Sequence, residues 1–415
     1  MFEKIFKHQK TIRRHREGPL SEERARYLAF KVEGGAARST IALTADYMLA
    51  TATRMGLTGD SRVSVEEVEK AANSWAHRKT RKNPTASIQG RQRGFRRVAC
   101  SWLCFANRLT PPPSKPQPNE PLVLAYAQYL DRERGFSPRT IATYSWCARR
   151  FLRRLASRGR VIRELRTADV EEALSWAAAH GFSRRSLHFY VQALRAFLRY
   201  AEQRNWCPAG IATVIEAPRL YREETLPSGP PWTDVSRLIA STDTNRPKDI
   251  RDRAILLLLT IYALRIDEVR QLQLDDIDWE REQLLIRGSK QRRLRTYPLS
   301  PTVGDAIIRY LRTVRPRCRD RALFIRLRAP HQAFTAGGLW PIVGRRIRKL
   351  GISVKHPGPH CLRHACATHL MALGCSLKEI GDHLGHQNLE TTHIYAKVDL
   401  AGLRQVADLD LGGLL

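Results

Sequence analysis

Four side chains suited to work on a phosphodiester crowd one C-terminal stretch: His360 and Arg363 in His360-Cys361-Leu362-Arg363, His386 closing Leu384-Gly385-His386, and Tyr395. A guanidinium fork can clamp oxyanions, imidazoles can hold and move protons, and a phenol oxygen can attack. Together they are parts for breaking a phosphodiester without a metal. They require a grip on the polyanion, further cations, and a scaffold that gathers residues distant in sequence.

The composition supplies the grip. Lys and Arg number 71 against 40 Asp and Glu, a formal net charge of +31, and the isoelectric point is near 10.5. An excess this large repels the folded chain against itself unless a polyanion neutralises it, so nucleic acid is the leading partner. The longest apolar run, Ala254 to Leu259 extended through Ile261-Tyr262-Ala263-Leu264, is interrupted by Thr260, closed by Arg265, and too short to cross a bilayer. The first residues, with Glu3, Lys4, Lys7, His8 and Lys10, lack the apolar core of a secretory signal. The expectation is a cytosolic protein with no membrane partner, lying on nucleoid DNA if the source is prokaryotic. Eight scattered cysteines without a Cys-x-x-Cys pair suit reduced thiols.

A chain of 415 residues exceeds what one apolar core supports, so two to four domains are expected. Pro111-Pro112-Pro113-Ser114-Lys115-Pro116-Gln117-Pro118 and Leu226-Pro227-Ser228-Gly229-Pro230-Pro231 read as semi-rigid linkers, because proline fixes its own backbone and disfavours helix before it. They set boundaries at 1–110, 119–217 and 232–415. The first two blocks align as copies. Tyr27-Leu28 and Ser39-Thr40-Ile41-Ala42 match Tyr129-Leu130 and Arg139-Thr140-Ile141-Ala142. Ser74-Trp75-Ala76 matches Ser175-Trp176-Ala177, and Trp102-Leu103-Cys104-Phe105-Ala106 mirrors Phe197-Leu198-Arg199-Tyr200-Ala201.

Each copy reads as a small helical bundle. In the second, Ile141, Tyr144, Ala148, Phe151, Leu152 and Leu155 recur at helical spacing, with Arg149, Arg150, Arg153 and Arg154 on the rest of the turn. Basic clusters recur at Arg78-Lys79-Thr80-Arg81-Lys82, Arg91 to Arg97 and Arg184-Arg185. Repetition favours phosphate contact, which positions a protein on DNA without reading sequence. The candidate DNA contacts are Arg78, Lys79, Arg81, Lys82, Arg93, Arg96, Arg139, Arg149, Arg153, Arg184, Arg185 and Arg292. In the third block, Ile250 to Ala263 is an apolar helix, and Ile266, Val269 and Leu272 continue on a second. Gln283 to Arg287 and Arg295 to Leu299 form a hairpin around Gly288-Ser289-Lys290, helices resume at Thr302, and Ser376-Leu377-Lys378-Glu379 has capping-box spacing.

Residues 118–400 resemble the tyrosine recombinase, or phage integrase, family. The resemblance is carried by Ala263-Leu264-Arg265-Ile266-Asp267-Glu268-Val269, Lys290 eight residues before Pro298, His360-Cys361-Leu362-Arg363-His364, Leu384-Gly385-His386 and Thr391-Thr392-His393-Ile394-Tyr395. It implies a mainly α fold: tandem helical SAM-like core-binding domains, then a mixed α/β catalytic domain with a small β-hairpin sheet. The activity implied is site-specific cleavage and rejoining of double-stranded DNA in integration, excision or transposition. The block before residue 110 makes a long form, of a kind found on transposon-like elements.

Tyr395 is then the nucleophile, forming a 3′-phosphotyrosyl link and freeing a 5′ hydroxyl. Arg265 and Arg363 clamp the phosphate, whose two non-bridging oxygens match a guanidinium fork. Lys290 protonates the leaving oxygen, and His360 and His386 hydrogen-bond the phosphate and move protons. His364, His369, His383 and His393 stay in the structural class. The family works as four protomers on two DNA sites, in some cases with accessory recombinases or DNA-bending proteins, and no cofactor or metal is implied.

Rival readings are weaker. An isolated Arg265 would ordinarily pair with an acid such as Glu268. Cys361, His364, Cys366 and His369 spread around one helix and cannot converge on a zinc ion. Asp275, Asp276 and Asp278 could serve a metal-dependent nuclease, yet they fall as a loop cluster after a helix. A type IB topoisomerase shares the tyrosine chemistry. A DNA regulator would explain two helices around Gly374 but neither Tyr395 nor the arginines. Beyond Tyr395, Asp399 to Leu409 has the apolar spacing of a short helix that docks on a neighbouring protomer or on its own domain.

Overall fold

The computed structural model describes residues 1–77, 87–110, 119–220, 229–288, 294–386 and 390–396. Two compact units are present: Met1–Pro111 together with Thr225–Leu415, and Pro112–Glu224. The linker 111–118, residues 226–228 of the second proline stretch, the cluster 78–82, Lys290, Arg292 and the tail 399–409 lie outside the described residues.

The N-terminal segment is helical: α1 Phe2–Ile5, α2 Gln9–Glu17, α3 Ser21–Glu33, α4 Arg38–Arg54, α5 Val65–Ala76 and α6 Ile88–Phe105. A two-residue parallel pair, β1 Val63–Ser64 and β2 Leu109–Thr110, ties its loops together. Ser64 and Glu67 form a reciprocal capping box at the start of α5. Tyr27, Met48, Phe95, Trp102 and Leu103 fill the core. A backbone hydrogen bond links this segment to the C-terminal segment of the same unit: the Gly34 carbonyl accepts from the His331 N–H at 3.1 Å.

The second unit contains α7 Glu120–Arg132, α8 Pro138–Ser157, α9 Thr167–Ala179, α10 Arg184–Gln203 and α11 Ile211–Val214. Ser137 and Ser183 cap α8 and α10 by accepting from Thr140 N–H and Ser186 N–H. Ala148, Phe151, Leu152 and Leu155 pack inward on Tyr126, Leu194 and Phe197. Left-handed Gly35 and Gly135 precede α4 and α8, and left-handed Asn107 and Asn205 end α6 and α10. Trp102 in the first block and Phe197 and Tyr200 in the second are all buried.

The C-terminal segment holds α12 Trp232–Ala240, α13 Pro247–Ile261 and α14 Ile266–Gln271. Three antiparallel strands follow, β3 Ile277–Asp278, β4 Gln283–Arg287 and β5 Leu294–Pro298, where the sequence suggested a two-stranded hairpin. Then come α15 Pro301–Thr313, α16 Trp340–Lys349, α17 Pro359–Ala372, α18 Leu377–Leu384 and α19 Glu390–Ala396. Helix α13 is the centre: Leu256, Leu257, Leu258 and Leu259 are all buried, and each buried leucine contributes about 1.5–3 kcal/mol. Ala263, Cys366, Ala367, Ile380, Leu384 and Tyr395 form a smaller apolar cluster that joins α17, α18 and α19. The eight cysteines are all free thiols, and no helix of the described residues is long and apolar enough to cross a membrane.

Candidate active site

The apolar helix α13 stops at Tyr262, and Ala263 then adopts a left-handed φ of 47°. A side-chain-bearing residue pays about 1–2 kcal/mol for that conformation. The turn sets Arg265 as the residue that enters α14 and leaves the Ala263 carbonyl free to accept. Arg363, on α17 and only 4% exposed, donates Nη1 to that carbonyl and Nη2 to the Leu384 carbonyl, both at 2.6 Å. Leu384 is the last residue of α18, whose Ser376–Glu379 capping box forms as its spacing suggested. Gly385 ends the helix at φ 64° and turns the chain to His386, whose Nδ1 lies 2.9 Å from Thr392 Oγ1 on α19.

Buried Glu268 organises the cations. Its Oε2 accepts from the Arg265 N–H at 2.8 Å, and its Oε1 accepts from Arg265 Nη1 at 3.1 Å and from Arg295 Nη2 at 2.9 Å. The ordinary pairing suggested for Arg265 is therefore present, yet one carboxylate is shared by two guanidiniums. Arg295 on β5 also donates to Tyr297 Oη and to the Leu384 carbonyl, while Tyr297 Oη donates to the His383 carbonyl at 2.7 Å. Residues two apart on a strand share a face, so Arg295 and Tyr297 together fasten the hairpin to α14 and α18.

Burial and like charge then set the protonation states. Arg363 is pushed down to about 10 by burial and by Arg265, and it stays charged at neutral pH. Burial lowers His360, with Arg363 and Arg265 adding to the effect. His364 falls to about 4 through burial, His360 and Arg363, and His386 falls to about 4 through burial, Arg363 and Arg265. These imidazoles are neutral at pH 7. Tyr395, 2% exposed, is pushed up to about 12 by burial against the opposing pull of Arg363, so its phenol keeps its proton.

The phenol oxygen of Tyr395 lies 2.9 Å from Nδ1 of His364. That histidine was expected to be structural. Its signal in the sequence was the four-residue step from His360, which puts both imidazoles on one face of α17. His369 stacks on Trp232, and His383 Nε2 meets the Ile261 carbonyl at 2.9 Å. Cys361 and Cys366 are buried, so the four side chains once weighed as zinc ligands have separate surroundings.

The acidic cluster is spent on other partners. Asp275 pairs with Arg321, Asp276 accepts from Arg287 and from the Gln273 N–H, and Asp278 accepts from the Glu280 and Arg281 N–H groups. Among the basic candidates, Arg93, Arg139, Arg153, Arg184 and Arg185 are exposed, while Arg96 meets Glu69 at 3.1 Å. Arg149 departs from the outward stripe: Glu120 holds it in a two-pronged pair at 3.0 and 2.7 Å. Arg154 is paired with Glu172, and Arg150 lies over the rings of Trp146, Trp176 and Phe182.

Two family models match this chain. Residues 232–401 match the Phage integrase family, and residues 123–205 match the Phage integrase N-terminal SAM-like domain. A Sinorhizobium fredii protein, y4rA, which carries a provisional integrase/recombinase name, is 37% identical over 70% of this chain and 71% of its own length. Tyrosine recombinase XerA of Thermococcus kodakarensis is 32% identical over 70% of this chain and 95% of its own. Among solved structures, the XerH site-specific recombinase bound to palindromic difH substrate in a post-cleavage complex shares the fold. Its TM-score is 0.55 at 22% identity, over 68% of this chain and 83% of that one.

Proposed function

The chain belongs to the phage integrase family of tyrosine recombinases, and from that premise we propose that it recombines double-stranded DNA at specific sites through a 3′-phosphotyrosyl bond to Tyr395. Attack by the phenol oxygen builds charge on the non-bridging oxygens of the scissile phosphate, and the guanidiniums of Arg265 and Arg363 receive it. His360 and His386, neutral at physiological pH, hydrogen-bond the phosphate. Lys290 protonates the departing 5′ oxygen, and a freed 5′ hydroxyl from the partner strand reverses the steps on a new junction. The topoisomerase and regulator alternatives are not favoured, because the family and relatives matched are recombinases and integrases.

The observation that carries the reading is Arg363. Its charge is buried, and its described hydrogen bonds go to two carbonyls. A buried cation so placed is stabilised by an incoming anion.

The reading extends to organisation. The division at 1–110, 119–217 and 232–415 assigns DNA contact to both helical blocks, the first being a duplicate of the second. Supporting this, residues 1–110 carry 22 Lys and Arg against 10 Asp and Glu. Four protomers assemble on two DNA sites, with accessory recombinases or DNA-bending proteins where the element requires them, and the protein resides in the cytoplasm, on nucleoid DNA if its source is prokaryotic.

The test is a nicked suicide duplex carrying the DNA ends of the chain's own genetic element. A denaturation-resistant protein–DNA adduct forms, persists with chelator, and disappears in Tyr395→Phe. An adduct that survives in Tyr395→Phe would end the assignment.

A further inference from the structure

We infer that His364 is a catalytic residue, the acceptor of the Tyr395 phenol proton during strand cleavage. The inference rests on the reading of Tyr395 as nucleophile. The geometry is already in place: Nδ1 of His364 sits 2.9 Å from the phenol oxygen, within the reach required of a general base. The side chains comes from adjacent packed helices, since Tyr395, Cys366 and Ala367 share one apolar cluster. The His364 backbone carbonyl accepts from Thr368 Oγ1 at 2.9 Å, a bond within α17 that does not involve the imidazole of His364. His360 and Arg363 on its own helix, Tyr395 on α19 and His386 beyond α18 are the titratable and charged groups around it.

A neutral phenol hydrogen-bonded to a neutral imidazole is a resting pair. Its transfer is uphill while Arg363 repels an imidazolium, and a docked phosphodiester reverses that, because its negative charge offsets the guanidiniums and favours a cation at His364. As the Oη–P bond forms, the O–H proton passes to Nδ1. The P–O5′ bond then breaks, its electron pair leaves with the 5′ oxygen, and that oxygen takes a proton from Lys290 or solvent. On rejoining, the imidazolium returns its proton to the departing phenolate.

Two substitutions separate chemistry from scaffolding. His364→Ala removes the acceptor. His364→Asn keeps an amide oxygen able to accept from the phenol but unable to take its proton. Both retain DNA affinity in gel shifts, and both form the suicide adduct on the order of a hundredfold more slowly than the parent. A 5′-bridging phosphorothiolate, whose sulfur leaves without protonation, does not repair either deficit. The assignment is overturned if His364→Asn cleaves at the parental rate, if sulfur restores either variant, or if His364→Ala is unimpaired. Tyr395→Phe run alongside keeps the two readings apart. Its loss of adduct with full-speed His364 variants would sink this inference alone, whereas an adduct from Tyr395→Phe would sink the nucleophile assignment first.

Discussion

Replacing Glu268 with glutamine changes one atom and tests the whole cation scaffold. Three N–H donors converge on the carboxylate: the Arg265 backbone at 2.8 Å, Arg265 Nη1 at 3.1 Å and Arg295 Nη2 at 2.9 Å. An amide offers one oxygen. With that oxygen toward the guanidiniums, the amide NH2 faces the Arg265 N–H, and flipping the amide moves the conflict to the guanidiniums. One unsatisfied donor costs about 1–3 kcal/mol. Stripping a buried pair of one charge costs about 3–5 kcal/mol, but Arg265 and Arg295 side chains are 35% and 20% exposed, so water recovers part of that. A net loss of about 3 kcal/mol follows, equivalent to a Tm lower by roughly 6–12 °C for a domain of this size. Freed of its tether, Arg265 should slow adduct formation by about tenfold to a hundredfold, with little change in DNA affinity. The assay is thermal unfolding followed by single-turnover suicide cleavage, with Asp267→Asn as the control, because the Asp267–Arg270 pair is partly exposed and worth little. Glu268→Gln with parental melting and parental cleavage would refute the reasoning.

Two further outcomes can be checked on the DNA-free protein. His364 and His386 sit near 4 when folded against 6.5 when free, so as the pH falls below 6.5 the unfolded chain binds protons first. The stability they contribute is complete above that pH and is lost progressively toward about 4. The decline is at most about 1.4 kcal/mol per pH unit for each ring, and less where water reaches them. Chemical denaturation at pH 7.5 and 5.0 reads it, and equal stability at the two would contradict the buried neutral state. Gly385→Ala strains a residue at φ 64° and drives its Cβ into the Arg295 guanidinium, for a loss of about 1–3 kcal/mol. Adding Arg295→Ala removes the clash, so the double variant should lose less than the two single losses combined. Strict additivity in denaturation curves would show that the two residues do not meet.

What the sequence made legible was local. The stripe on α8, the capping box at Ser376 and Glu379, and the strands flanking residue 290 each depend on neighbours a few residues away, and periodicity reports such neighbours. Arg149 and Arg153 looked alike on the same helical turn. Only the packing of α7 against α8 brings Glu120 to Arg149, and no spacing rule covers 29 residues. Arg295 read as the first residue of the hairpin's second strand, and its bonds to Glu268 and Leu384 span 27 and 89 residues. His364 was missed for a different reason. Its four-residue step from His360 was visible, but the partner that gives it meaning sits 31 residues on, across a turn.

Charge counting around the clamp links these details to the chemistry. Arg265 and Arg295 share one carboxylate, Glu268, Arg363 is held by carbonyls, and the three nearby histidines are neutral, so three guanidiniums stand against one carboxylate and two positive charges are left over among these described residues. A phosphodiester brings one negative charge in the ground state and approaches two as a nucleophile adds. A site with two spare charges is better matched to the transition state than to bound DNA, and only that difference speeds the chemical step. A second carboxylate beside Arg363 would erase it. The carbonyls of Ala263 and Leu384 orient Arg363 without cancelling its charge. On this view, the strained Ala263 turn and the Gly385 helix end are the local costs of holding a guanidinium in place by dipoles alone.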